Sequence, residues 1–211
     1  MSDFSYKFKG FTFFLKFTSE NELSNKNKPL ECSLIKISRY IPILYNNTIT
    51  IPDKISYKGL GSELNVYITT ITSDSFNNLS VNTKNSIKKI NIPNTVKRIK
   101  RYSFCDFLNL EEINFYGSPI DKYNVGHIDS EAFSTIPKLK YITIPKHFSI
   151  FGNNFIMNCQ KLKHVIIEQK HIALENMYYI DTNFPRCYNL NLIYMNNIVY
   201  IRENNKWKIK S

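Results

Sequence analysis

The stretch 87–104, IKKINIPNTVKRIKRYSF, aligns without a gap on 139–156, LKYITIPKHFSIFGNNFI. Both open on an apolar residue, pass through Ile-x-Ile-Pro and a polar turn, and end on a large apolar anchor. Self-similarity of this kind is read before any local assignment of helices or strands, because a missed repeat misreads the whole fold. Counted from the anchor, apolar residues recur five before it and three, six, nine and eleven after it, and five blocks obey the rule. They are Ile71, Phe76, Leu79, Ile87, Ile90 and Ile92, with five extra residues before Ile87; Ile99, Phe104, Phe107, Leu110, Ile113 and Phe115; Ile128, Phe133, Ile136, Leu139, Ile142 and Ile144; Phe151, Ile156, Cys159, Leu162, Val165 and Ile167; and Tyr179, Phe184, Cys187, Leu190, Ile193 and Met195. Every column is apolar or aromatic in a chain that is 43% hydrophobic, so chance is a poor explanation.

Ile87 to Leu110 and Leu139 to Leu162 are steps of 23 residues, while two longer steps carry insertions at 117–126 and 168–178. Insertions confined to one phase of a repeat map to loops on one face of a stack. Pro52, Pro93 and Pro145 follow the Ile-x-Ile strands and end them, since proline donates nothing to a ladder. A unit this short cannot bury its apolar face alone, so each turn leans on its neighbours and the ends must be covered.

The flanks supply candidate covers. Phe4, Tyr6 and Phe8, then Phe11, Phe13, Leu15 and Phe17, alternate on either side of Lys9-Gly10, the period of a half-buried β-hairpin. A polar loop over 19–29 follows, then strands at 33–37 and 48–51. The tail 198–209 reads as a last hairpin turning at Asn204-Asn205. The expected organisation is an N-terminal β-hairpin cap over 1–47, a repeat array over 48–195 of five repeats plus an upstream half repeat, and a C-terminal cap over 196–211.

INIPNTVKRIKRYSFCDFLNLEEINF and ITIPKHFSIFGNNFIMNCQKLKHVII resemble the BspA-like class of leucine-rich repeat, whose units read roughly L-x-x-I-x-I-P, V-x-x-I, A-F-x-x-C-x-x-L. The upstream segment TITIPDKISYKGLGSELNVYITTITSDSF is similar to the entry of such arrays, where a strand ending in Ile-Pro precedes a hairpin and the first helix-like turn. The match departs in three ways: the small residue before the anchor appears only as Ala132, Cys fills its column only at Cys159 and Cys187, and Ile156 replaces Phe. The resemblance covers 48–195. It implies an α/β repeat solenoid of the leucine-rich-repeat type, β-rich and right-handed, with one short parallel strand per turn and β-hairpin caps. It also implies partners bound on the surface, as in the adhesion and interaction proteins that are common in the family.

Because strand side chains alternate, the residues between strand columns point onto an open face. The last three rows place Lys140, Tyr141 and Thr143, then Lys163, His164 and Ile166, then Leu192 and Tyr194 side by side. An aromatic and apolar patch rimmed by charge has the look of a protein-binding site, and these eight residues are the candidate partner-binding set. The alternative is that they are ordinary β-formers, and the chain an inert structural surface repeat.

The formal net charge is +11, which admits a polyanion such as nucleic acid or acidic lipid as the alternative partner. The group Lys97, Arg98, Lys100 and Arg101 falls outside the strand columns and reads as a solvated surface. No phosphate-binding loop, GxGxxG, GxSxG or HExxH occurs, and His127, His147, His164 and His171 lie in different phases of the repeat. Glu111-Glu112 is a poor arrangement for acid and base work. The expectation is therefore no enzyme, no catalytic or metal residues, no cofactor and no small-molecule substrate. Cys159 and Cys187 share a column and should lie close together as buried thiols, with a disulfide as the alternative. The residues contain no apolar run long enough for a membrane span and start without a recognisable export signal, which points to the cytoplasm; the resemblance points instead to the cell surface or a nonclassical secreted route.

Overall fold

In the computed structural model of the protein, the residues described are 4–8, 11–17, 29–39, 45–59, 62–120, 125–169, 184–195 and 197–210. Tyr179, His171, most of the 168–178 insertion and most of the 19–29 loop lie outside them.

β1 (Phe4–Phe8) and β2 (Phe11–Phe17) pair antiparallel, as their alternation predicts. β3 (Leu30–Arg39) is longer than the five residues read from sequence and adds antiparallel to β2. Its partner register jumps from Lys36 to Leu34 between Phe14 and Leu15, leaving Ile35 as the extra residue of a bulge. The bulge lets Leu34 and Ile37 share the buried face, which strict alternation forbids.

β4 (Thr48–Thr50) is followed by β5 (Lys54–Gly59) and β6 (Ser62–Ile71), an antiparallel pair. From β3 to β6 the pairing becomes parallel, and it stays parallel through the array. The five extra residues of the first block belong to the single α-helix among the described residues, α1 (Val81–Ser86). Ser80 caps it, its hydroxyl accepting from the Thr83 amide at 3.1 Å.

Each middle repeat then lays down three short strands rather than one. They are β7 (Lys89–Pro93), β8 (Arg98–Ile99) and β9 (Phe104–Cys105); β10 (Glu112–Tyr116), β11 (Gly126–Ile128) and β12 (Phe133–Ser134); and β13 (Tyr141–Ile144), β14 (Phe148–Phe151) and β15 (Ile156–Met157). β16 (His164–Ile167) and β17 (Leu192–Met195) continue the first position, and β18 (Ile198–Glu203) with β19 (Lys206–Ile209) closes antiparallel on β17. Equivalent strands pair in parallel, giving the orders β6-β8-β11-β14, β9-β12-β15, β4-β7-β10 and β13-β16-β17. The segments expected as helix-like are turns and two-residue strands, so the fold is a β-rich repeat fold and not an α/β one. The reason is local: beside each of the anchors Phe104, Phe133 and Ile156, two residues adopt positive φ and unwind the chain before a second helical turn forms.

Those positions recur two before and two after the anchor: Tyr102, Glu131 and Asn154, then Asp106, Thr135, Asn158 and Arg186, all with φ between 54° and 61°. None is glycine. Their amides are satisfied in register, Tyr102 to Glu131 O, Glu131 to Asn154 O and Thr135 to Met157 O, so one repeat's turn is held by the next.

The column residues form one continuous core. All described columns are buried except Phe115 and Phe151, which pack against its edge. The anchors stack: Phe76 on Phe104 and Phe104 on Phe133, each at 5.2 Å between centroids. At the fourth repeat, where Ile156 replaces the aromatic, Phe155 one place earlier is buried instead and meets the Phe184 ring at 5.4 Å. That column holds small residues elsewhere, and not only Ala132: Ser75 and Ser103 are fully enclosed as well. Their hydroxyls donate to Leu34 O and Ile71 O of the preceding turn, which makes a buried serine tolerable.

Candidate functional site

The first position of each repeat builds the open face. In its early half the outward residues satisfy one another across strands. Lys89 lies opposite Glu112 with Nζ to Oε2 at 3.1 Å, and Asn91 Nδ2 donates to Thr50 Oγ1 at 3.0 Å. Glu111 turns the other way and accepts from Lys140 Nζ at 3.0 Å, a bond that holds its carboxyl below the usual range. The adjacent glutamates thus serve two different neighbours.

In the late half the register brings the candidate residues together as sequence spacing predicts. Tyr141 lies opposite His164, and His164 opposite Leu192; Thr143 lies opposite Ile166, and Ile166 opposite Tyr194. Tyr141 is 47% exposed, His164 and Lys163 are exposed at the rim with Lys140, and Thr143, Ile166, Leu192 and Tyr194 are half-buried. The Tyr194 hydroxyl donates to Asn197 Oδ1 at 3.1 Å.

Sequence spacing carries the two rows as far as Leu192 and Tyr194, with the tail expected as a cap. β18 in fact carries both rows one strand further, Leu192 to Ile201 and Tyr194 to Val199, while Tyr200 opposite Ile193 faces the core. The alternation of 198–201 held that signal.

Between the two halves the face is interrupted. No backbone hydrogen bond among the described residues joins β10 to β13, and the 117–126 insertion falls between these strands. A cleft of about 240 Å³ opens there, lined by Asn94, Ile113, Asn114, Phe115, Tyr141, Thr143, Pro145 and Glu168.

The basic group lies on another sheet, as its phase predicts, but it is not simply solvated. Arg98 holds Asp129 at 3.1 Å, Arg101 holds Glu131 at 2.7 Å, and Lys97 pairs with Glu31. Each carboxylate comes from another turn or from β3, so these charges bind the stack to itself. Lys100 is exposed and forms no ion pair among the described residues.

The three described histidines stay apart. His127 reaches Asp129 at 3.5 Å, His164 is on the open face, and His147 places Nε2 3.0 Å from Val96 O, with its imidazole pK lowered by burial. No group of three or more metal-ligating side chains gathers among the described residues. Cys159 and Cys187 meet as free, buried thiols, Cys159 held in the thiol form by its hydrogen bond to Cys187 and by burial. Cys105 is half-buried and pushed up to about 11 by loss of solvent. Among the described residues no helix is long and apolar enough to cross a membrane.

Stacked parallel strands and in-register apolar columns define a β-rich repeat protein. The chain belongs to the BspA-type leucine-rich repeat family, whose repeat-region model matches residues 69–205 in six copies. Among solved structures it is similar to a leucine-rich repeat protein from Bacteroides capillosus, at 15% identity and TM-score 0.52 over 90% of this chain and 97% of that one. It is also similar to the pneumococcal vaccine antigen PcpA, at 13% identity and TM-score 0.53, covering 98% of this chain and 54% of PcpA. At such identities the likeness concerns the fold. No curated protein sequence matches the chain.

Proposed function

We propose that this chain is a non-enzymatic protein-binding module, a solenoid whose successive turns present one face, and that its partner lies on the late half of that face. One observation carries the reading: the rows Tyr141, His164, Leu192, Ile201 and Thr143, Ile166, Tyr194, Val199 run unbroken across four strands without the cross-strand polar pairs of the early half. Apolar and aromatic surface rimmed by Lys140 and Lys163 is the composition of an interface core with its polar rim. The polyanion alternative draws less support, because Lys97, Arg98 and Arg101 are already engaged by carboxylates.

The test is a pull-down at about 0.15 M salt, comparing wild type with Tyr141→Ala/Ile166→Asp/Tyr194→Ala and identifying retained proteins by mass spectrometry, with circular dichroism as the folding check. Loss of one specific protein from the folded variant supports the face. Unchanged retention, or recovery only of nucleic acid that is released steeply by salt, overturns it.

A further inference from the structure

We propose that the cleft between β10 and β13 receives a cationic side chain of the partner protein, a lysine ammonium or an arginine guanidinium. This rests on the open face being a protein-binding surface. The cleft's volume of about 240 Å³ is below the roughly 300 to 1,000 Å³ of small-molecule sites, so it suits one inserted side chain and not a whole ligand.

Its walls select the charge. Phe115 and Tyr141 supply aromatic surface, which attracts ammonium and guanidinium groups and packs against their aliphatic stems. Glu168 supplies a carboxylate that forms no ion pair among the described residues. That is unusual here: in a chain of net charge +11, the other carboxylates of this face are engaged, Glu111 by Lys140 and Glu112 by Lys89. The field of Glu168 reaches His147, but burial holds that imidazole toward its neutral form. Asn94 is anchored at the cleft by its Nδ2, which donates to Gly117 O at 2.7 Å. Carboxylate and aromatic wall together favour a cation and repel an anion. The rim lysine Lys140 does not compete for Glu168, since its ammonium is bonded to Glu111.

The experiment titrates the ¹⁵N-labelled full chain with Nα-acetyl-argininamide and Nα-acetyl-lysinamide, using Nα-acetyl-citrullinamide as the uncharged shape control. Saturating amide shifts at Asn94, Asn114, Tyr141 and Thr143 are expected with the cationic probes, weakened about tenfold in folded Glu168→Gln. Shifts that are absent, equal for citrulline, or unchanged in Glu168→Gln overturn the proposal. The two readings fail separately. If the open-face triple variant loses its partner while Glu168→Gln keeps it at full strength, the face stands and the cleft falls. If neither variant changes capture, the face reading falls, and this inference falls with it.

Discussion

The early and late halves of the open face are made from the same repeat and finish their outward rows differently. In β4, β7 and β10 the rows close on themselves, Lys89 on Glu112 and Asn91 on Thr50. In β13, β16, β17 and β18 the equivalent rows are Tyr141, His164, Leu192, Ile201 and Thr143, Ile166, Tyr194, Val199. The inward columns are alike in both halves, so the core does not dictate the difference. A repeat scaffold that only has to remain stable in water has a polar solution available and uses it in one half. The other half forgoes it, which fits the proposal that this half meets a partner.

The first way to break the comparison is to remove what both halves share. Phe104 is enclosed between Phe76 and Phe133, and Phe104→Ala should cost about 3–5 kcal/mol. In urea denaturation the two halves should lose structure together; separate transitions would mean that they are independent units.

A smaller effect should come from acid. His147 reaches from the turn after β13 to Val96 O in the turn after β7, tying the halves across the seam. Its folded pK lies below the ordinary 6.5 because burial disfavours the imidazolium, so the unfolded chain binds the proton first and stability rises with pH. The contribution should be complete above that value and be lost as pH falls through the folded pK. Thermal unfolding between pH 7.5 and 5 should show the fall in wild type and a weaker one in His147→Gln.

Arg186 sits exposed at φ 60° beneath the late half. Arg186→Gly should therefore raise stability by about 1 kcal/mol, read as a higher melting temperature. The smallest effect should be that of Glu112→Gln in the early half. Its ion pair with Lys89 is exposed, so the loss should stay within about 1 kcal/mol, and pull-down of the partner should be unchanged. A lost partner would erase the distinction between the halves.

The columns were legible because burial imposes a fixed spacing, and so were the rows of the open face, which follow from strand alternation. The three strands per repeat were not. The turns that produce them use Tyr102, Glu131, Thr135 and Arg186 at positive φ in the same positions as Asp106, Asn154 and Asn158, so the asparagines and aspartate that favour this region mark only some of the turns. Phe155 was hidden because aromatic and small residues exchanged places between neighbouring columns. The cleft was hidden because an insertion is visible in a sequence while the backbone bonds it displaces are not. The pairing of Arg98 with Asp129 and of Arg101 with Glu131 spans 31 and 30 residues, beyond any local charge pattern.

A stack of parallel strands exposes at each end the same kind of edge that it uses inside, so nothing in its geometry distinguishes the next repeat from the first repeat of another molecule. At the end of this chain's open-face sheet, β18 and β19 reverse direction, and the outermost strand carries Lys206 and Lys208. In the language of polymer growth, the reversed hairpin is an end group for this sheet: β18, the strand it lays on β17, has the wrong polarity to continue the run of β13, β16 and β17.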